Sequence, residues 1–263
     1  MENGILKKTM VWIELCVPYC NKYKADVKRL TRKIIRRPHE QDFEAVRYFS
    51  EQEGDVYVDV GANYGQTIES ILLYKPEAKI ISFEANPRLA KLLGELYANK
   101  LNIEIKSYGL GNRNSECDLF VPHYRDLAFE GLASFKKEQA INAVGKDIML
   151  KFKPQYLHVA ELRCEIKTLD SFELSPFFVK LDIEGGEYDA IKGGISTIRR
   201  HLPILLIEGV KEGDRVFCLL QDLGYKHYRY KSGNFYLGQF GSPNSFFIPD
   251  SRLDRIRGSV VYE

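Results

Sequence analysis

The chain has 263 residues, of which 44% are hydrophobic and 28% are charged. These values are ordinary for a globular protein, and this length suits one large domain with a buried core. The 38 lysines and arginines nearly balance the 36 aspartates and glutamates, which leaves a net charge of +2. That charge excludes a nucleic-acid binder that depends on net charge alone.

Signals for membranes or secretion are weak in this sequence. No apolar run reaches the roughly 18 residues that a membrane span requires. Lys7 and Lys8 precede only a short apolar stretch that contains Glu14, which is a poor secretory signal. The five cysteines are scattered and include no CxxC pair, so neither a disulfide framework nor a zinc site is expected. Together these features predict a cytoplasmic protein.

Residues 1–50 are predicted to form a helical extension. A basic run occupies residues 22–37, and its apolar residues recur at roughly helical spacing, which predicts an amphipathic helix. Its charged face is expected to be solvated while the other face packs on the body of the protein. A docking surface for an acidic partner or a membrane is the alternative. Pro38 ends this helix, and residues 42–49 predict a second, short one.

From residue 55 onwards the sequence alternates between strand and helix patterns. Short β-branched or aromatic runs at 56–60 and 79–84 predict strands, and a segment with helical spacing follows each of them. Further strands are predicted at 103–105, 177–182 and 204–208. This alternation predicts an α/β fold with a parallel sheet. Three last strands, expected to complete the sheet in antiparallel orientation, are predicted at 226–230, 234–237 and 245–248.

Four of the predicted strands end in an acidic residue. These residues are Asp59, Glu84, Asp182 and Glu208. Each of them alone could cap a helix. In an open parallel sheet, however, ligands bind at the carboxyl ends of the strands, near the point where the strand order reverses. Four carboxylates delivered to that edge therefore predict a ligand site.

The glycine turn after the first of these strands indicates the kind of ligand. Gly61 and Gly65 let the backbone approach a ligand closely, but Asn63 stands where a dinucleotide motif needs its second glycine. No phosphate-binding GxxxxGK[ST] motif is present. Asp59 before the turn suits a cationic amino-acid group, and Glu84 is placed to accept hydrogen bonds from ribose hydroxyls. This combination predicts S-adenosylmethionine as the ligand.

Four stretches carry a more specific pattern. They are VDVGANYGQT at 58–67, FEANP at 83–87, KTLDSF at 167–172 and VKLDIEGGEY at 179–188. Together they resemble the FkbM family of S-adenosylmethionine-dependent methyltransferases, over residues 55–210. The resemblance implies a methyltransferase domain over residues 51–263 with a Rossmann-like, seven-stranded sheet. That sheet would be mostly parallel, with an antiparallel C-terminal strand and with helices on both faces.

The resemblance also implies an activity, namely O-methylation of a hydroxyl group on a sugar or polyketide-type small molecule. Carried over to this sequence, the glycine turn would hold the methionine end of S-adenosylmethionine and Glu84 would hold the ribose. The predicted cofactor-binding residues are Asp59, Gly61, Asn63, Gly65, Glu84, Asn86 and Asp182.

The predicted catalytic residues are Asp182, Glu184 and Glu208. Asp182 is the first candidate to position or deprotonate the acceptor hydroxyl, because it ends a strand at the predicted site. Glu184 lies two residues further on and would point to the same side. Glu187 falls in the first turn of the following helix and is interpreted as structural. Three acids could also hold Mg²⁺, but no separate Asp or His motif accompanies them, so no metal is predicted.

Residues 117–165 lie outside most of the resemblance and are predicted to form a substrate lid. The segment is long for a connection, and it is too rich in aromatic and apolar residues for a disordered linker. Its two histidines, His123 and His158, are additional candidates for a pocket wall. The oligomeric state and the identity of the hydroxyl acceptor are left open by the sequence.

Two other functions remain as alternatives. An RNA methyltransferase could use the basic run at 22–37 to grip its substrate, but the tetrapeptide that would hold a flipped base is replaced by LDIE at 181–184. Nucleic acid is therefore not the expected partner. The second alternative is a non-catalytic module that binds S-adenosylmethionine, against which the intact acids at the strand ends argue.

Overall fold

The computed structural model describes residues 35–149 and 152–261. Most of the predicted basic helix at 22–37 lies outside these ranges, so the helical extension stays a prediction. None of the helices within the described ranges is long and apolar enough to cross a membrane.

The elements follow one another largely as the sequence pattern predicts. In chain order the strands are β1 (Val56–Val60), β2 (Lys79–Phe83), β3 (Ile103–Lys106), β4 (Gly109–Leu110), β5 (Ser115–Tyr124), β6 (Leu127–Ala128), β7 (Leu157–Lys167), β8 (Pro176–Leu181), β9 (Ile204–Glu208), β10 (Tyr225–Lys231), β11 (Asn234–Leu237), β12 (Asn244–Pro249) and β13 (Ser259–Val261). The α-helices are α1 (Gln66–Leu72), α2 (Pro87–Leu96), α3 (Lys137–Asn142), α4 (Glu187–Gly193), α5 (Ile195–His201) and α6 (Arg215–Asp222). Short 3₁₀ helices cover Gln41–Tyr48, Glu130–Leu132, Pro154–Tyr156, Leu169–Phe172 and Asp250–Arg255.

The central sheet has nine strands in the order β13-β11-β10-β12-β9-β8-β1-β2-β3. Strands β9, β8, β1, β2 and β3 are parallel, and β12 is antiparallel to both β9 and β10. The α/β class and the antiparallel C-terminal strand are thus confirmed. The sheet is larger than the implied seven strands because β11 and β13 extend it beyond β10. Ser232 and Gly233 both have positive φ, as a tight hairpin requires, and they fold β11 back onto β10.

Helices cover both faces of this sheet, as predicted. One face packs against the 3₁₀ helix Gln41–Tyr48 and against α1 and α2 through a cluster that includes Phe43, Tyr57 and Phe178. The other face packs against α4, α5 and α6. Every residue of β1 and β8 is buried, and apart from Asp59 and Lys180 these strands are apolar, as in a sheet covered on both faces. The second helix predicted at 42–49 is present, in the tighter 3₁₀ form.

A second sheet, in the order β4-β7-β5-β6, is formed by β4 and by strands that lie largely within the segment 117–165, which is predicted to form a lid. Strands β5 and β7 pair antiparallel from Ser115 and Ile166 to Tyr124 and Leu157. Between them, residues 125–156 enclose a small apolar cluster centred on Tyr124, Val144 and Met149. The predicted insertion is therefore folded, and the long antiparallel pair of β5 and β7 connects it to the rest of the domain.

Candidate active site

The carboxyl ends of β1 and β8 meet where the strand order of the central sheet reverses. The turn after β1 lies directly on the backbone of Asp182, and a side chain at Gly61 would overlap the Asp182 carbonyl oxygen. Gly61 has a φ of +92°, which also favours glycine. Its N–H donates to the carbonyl oxygen of Phe83 at 2.9 Å. The turn therefore touches the ends of β2 and β8 at once.

Asp59 lies within β1 and is fully buried beneath this turn. The hydroxyl of Ser82 donates to Asp59 Oδ2 at 2.5 Å. Burial raises the pKa of Asp59 to about 6, although the Ser82 hydroxyl and the ammonium of Lys180 favour its charged form. Because the carboxylate has no exposed surface, it supports the turn from below. A direct contact with the methionine end of a cofactor stays a prediction.

Glu84 follows β2 and faces the turn from the other side. Its Oε2 accepts a hydrogen bond from the N–H of Asn63 at 2.6 Å, and its Oε1 accepts one from the N–H of Asn86 at 2.8 Å. Burial raises the pKa of Glu84 to about 7. The two backbone N–H donors lower this pKa because they favour the charged form, but burial has the larger effect. The carboxylate is thus fixed in one orientation by two loops of the site.

Asn86 connects this side of the site to the insertion. Its side chain caps α2 by accepting from the N–H of Arg88, and its amide donates to Glu130 Oε2 at 2.7 Å. Glu130 also accepts from Arg88 at 3.1 Å. The next residue, Gly131, lies so close to Asn63 that a side chain there would overlap the Asn63 amide. The 3₁₀ turn Glu130–Leu132 therefore touches the loops that follow β1 and β2.

Three acids gather at the ends of β8 and β9. The carboxylates of Asp182, Glu184 and Glu208 each place an oxygen within 4.8 Å of the others. A hydrogen bond to Asp182, together with burial, raises the pKa of Glu208 to about 8. Burial and the charges of Asp182 and Glu187 raise the pKa of Glu184. The structure thus brings the three predicted catalytic side chains together.

This spacing would also admit a cation, but exposed acidic groups commonly cluster without one. No other feature of the described residues points to an ion here, so we assign no metal. Glu187 takes no part in the cluster, because its Oε1 accepts from the N–H groups of Ile183 and Gly185 and shapes the turn between β8 and α4. This contact agrees with a structural role.

A buried lysine that is not among the predicted site residues lies beside Asp182. Lys180 is 1% exposed, and its Nζ lies 3.6 Å from Asp182 Oδ2. It donates to the Asn244 side-chain oxygen at 2.9 Å. The amide of Asn244 in turn donates to Glu40 and Asp42, at 2.7 and 3.0 Å. A charged residue within the apolar run at 177–181 was the signal that could have revealed this network.

A cavity of about 700 Å³ lies between the carboxyl edge of the central sheet and the second sheet. Of the predicted site residues, Gly61, Asn63, Glu84, Asp182 and Glu184 line it. Asp59, Gly65, Asn86 and Glu208 lie behind the wall. His123 and His158 face each other on β5 and β7 with ring centroids 5.1 Å apart, also away from this wall.

Similarity to known proteins identifies the family of the chain. A model of the methyltransferase FkbM domain matches residues 59–227. The chain belongs to the FkbM methyltransferase family. The matched residues run from β1 into β10, so they include the second sheet, the parallel strands of the central sheet and all three acids of the cluster, and they end before β11.

Individual relatives of the FkbM domain are distant. The 2-O-methyltransferase NoeI of Sinorhizobium fredii (strain NBRC 101917 / NGR234) is 25% identical over 153 residues, which are 57% of this chain and 61% of NoeI. The chain therefore aligns with less than two-thirds of the length of that relative.

Two solved methyltransferase structures show a distant similarity to this chain. Methyltransferase FkbM from Methylobacillus flagellatus KT superposes with a TM-score of 0.46 and 16% identity, over 74% of this chain and 43% of that one. Precorrin-6y C5,15-methyltransferase from Geobacter metallireducens GS-15 gives a TM-score of 0.36 and 12% identity, over 78% and 82% of the two chains.

Replacing Lys180 tests whether the buried network stabilises this FkbM domain. Lys180→Met leaves the Asn244 oxygen without its donor and Asp182 without its cation. We expect the free energy of unfolding to fall by roughly 2–4 kcal/mol. Lys226→Met is the control, because Lys226 pairs with Asp250 at the surface and such pairs contribute less than about 1 kcal/mol. Urea denaturation of both variants measures the difference, and equal losses would contradict the role of burial.

Proposed function

We propose that this FkbM domain transfers a methyl group from S-adenosylmethionine to a hydroxyl group of a sugar or polyketide-type small molecule. The observation that carries the proposal is one cavity that contains both Glu84 at the end of β2 and Asp182 at the end of β8. Its volume of about 700 Å³ is typical of small-molecule sites. The relative NoeI is named as a 2-O-methyltransferase, which supports oxygen as the atom that accepts the methyl group.

The residues around Glu84 fit the nucleoside part of S-adenosylmethionine. Each Glu84 oxygen accepts one backbone N–H and keeps a second lone pair, so both can accept a ribose hydroxyl. The side-chain oxygen of Asn63 is buried and has no hydrogen-bond partner among the described residues. Such an acceptor is costly unless a ligand donates to it. Phe83 and Leu110 add apolar wall to the same cavity.

The acids at the other end of the cavity fit the acceptor. When bound, S-adenosylmethionine supplies a methyl group made electrophilic by its sulfonium. Asp182 is 35% exposed, and the buried ammonium of Lys180 lies 3.6 Å from its Oδ2. Asp182 orients the acceptor hydroxyl and receives its proton. A positioned general base of this kind contributes roughly 10²–10⁴ in rate.

The insertion at 117–165 has the position that a substrate lid requires. Phe120 of β5 and Phe135, in the loop before α3, line the cavity on the side of the insertion. The contacts of Glu130 with Asn86 and Arg88 attach the same segment to the loop after β2. We propose that this unit covers the reactants and excludes water during methyl transfer.

Glu84→Ala tests the assignment of the cofactor. The ribose hydroxyls would lose their acceptor, so we expect binding of S-adenosylmethionine to weaken by about 1–3 kcal/mol. Isothermal titration calorimetry measures this loss. Glu95→Ala on the exposed side of α2 should bind as the wild type does. Unchanged affinity in Glu84→Ala would show that Glu84 does not bind the cofactor. Absence of S-adenosylmethionine binding to the wild-type chain would overturn the proposed function.

Asp182→Asn keeps the shape of the side chain and removes its charge. We expect S-adenosylmethionine to bind as before while methyl transfer falls by roughly 10²–10⁴. The assay follows the radiolabelled methyl group from S-adenosylmethionine into a panel of monosaccharides, macrolactones and RNA, with Asp222→Asn at the exposed end of α6 as the control.

Each other result of this assay has a distinct meaning. Near-normal turnover would exclude Asp182 from the mechanism. Loss of activity with EDTA and its return with Mg²⁺ would replace the base by a metal ion. Transfer to RNA alone would favour the RNA methyltransferase, and binding without transfer would favour a non-catalytic module.

Limited proteolysis tests the lid. Cleavage within residues 123–155 should slow when S-adenosylmethionine is added, because the turn Glu130–Leu132 touches both cofactor loops. Mass spectrometry of the fragments locates each cut. Cleavage confined to the region before residue 50, at a rate that the ligand leaves unchanged, would count against a lid.

A further inference from the structure

Two cysteines of the second sheet lie side by side. Cys117 on β5 and Cys164 on β7 are direct partners in the antiparallel pairing. Their sulfur atoms are 3.6 Å apart, although 47 positions separate them in the sequence. Neither side chain takes part in the proposed reaction. Cys218, by contrast, lies exposed on α6.

The backbone already has the geometry that a disulfide needs. Residues directly opposite each other in an antiparallel pair have Cα atoms about 4.5 or 5.5 Å apart. Both values fall within the range of about 4.4–6.8 Å found across disulfides. The sulfur atoms must therefore approach by side-chain rotation and a small local adjustment, while the pairing of β5 with β7 is kept.

We propose that Cys117 and Cys164 are a modification site, at which a small-molecule disulfide such as glutathione disulfide oxidises the pair to a reversible intramolecular disulfide. In the first step the Cys117 sulfur bonds to one glutathione sulfur, and the other glutathione leaves as a thiol with the proton of Cys117. In the second step Cys164 attacks the Cys117 sulfur and displaces the second glutathione, which takes the proton of Cys164. Two protein thiols lose two electrons, and one glutathione disulfide becomes two glutathione thiols.

The surroundings of the two sulfurs assign the order of these steps. Cys117 is half-buried and lines the cavity, so a small oxidant reaches it first. Cys164 is buried, and its pKa is raised to about 12. Burial is the largest cause of this shift, and the hydrogen bond and charge of Cys117 add to it. A mixed disulfide on Cys117 removes the part of this pKa shift that Cys117 contributes, and the part due to burial remains. Cys164 is then the resolving thiol, because its partner sulfur is already in contact.

The bond would act on the unit that carries the proposed lid. It would join β5 to β7 and close a covalent ring that contains all of residues 118–163. Residues within such a ring keep less freedom when they unfold locally. This modification does not depend on the proposed methyl transfer, because its chemistry needs only the two thiols and the oxidant.

The test uses the reduced wild-type chain and glutathione disulfide. After incubation, free thiols are alkylated under denaturing conditions and the chain is digested for mass spectrometry. We expect a cross-linked peptide that joins Cys117 to Cys164, loss of alkylation at both positions, and its return after treatment with dithiothreitol. Exposed Cys218 serves as the internal control and should carry a glutathione adduct.

Two conservative variants separate the roles of the thiols. Cys164→Ser should leave a stable glutathione adduct on Cys117, because no thiol remains to displace it. Cys117→Ser should leave Cys164 unmodified, because Cys164 is buried. The proposal is overturned if the wild-type adduct on Cys117 persists, or if both thiols stay free while Cys218 reacts.

Discussion

The approach of Gly61 to the backbone of Asp182 is the contact on which the geometry of the site depends. Because no side chain separates them, the turn after β1 lies directly on the end of β8. The N–H groups of Gly61 and Ala62 bond to Phe83, so the same turn is fixed to β2. A larger residue at this position would move Glu84 away from Asp182. One backbone contact thus sets the distance between the two ends of the cavity.

Charge balance is the second constraint on this edge of the sheet. Asp59 and Asp182 both lie near the ammonium of Lys180, which lowers the cost of negative charge at this edge. Burying an ion pair is expensive unless the remaining hydrogen-bonding groups are satisfied. Asn244 satisfies them by accepting from Lys180 and donating to Glu40 and Asp42. Residues outside the cavity therefore support the acids that line it.

The sequence predicted the parts of the fold that short-range patterns determine. Strands β1, β8 and β9 are buried apolar runs followed by turns, and the acids near their ends mark one edge of the sheet. Strand β7 was missed although Glu161, Arg163 and Glu165 alternate there with less polar residues, as in a strand with one solvated face. Its pairing with β5 needs partners far apart in sequence. The same holds for Asn244 and Asp42, which are 202 positions apart.

The position of β12 between β9 and β10 has a consequence for how the chain assembles. The ribosome releases β9 and β10 before β12, yet β12 joins them in the finished sheet. Until residues 244–249 emerge, the edge of β9 is unpaired and Lys180 lacks the amide of Asn244. An unpaired strand edge can form hydrogen bonds with strands of other chains during synthesis. The pairing of the β9 edge and the hydrogen bond from Lys180 to Asn244 therefore both wait for β12.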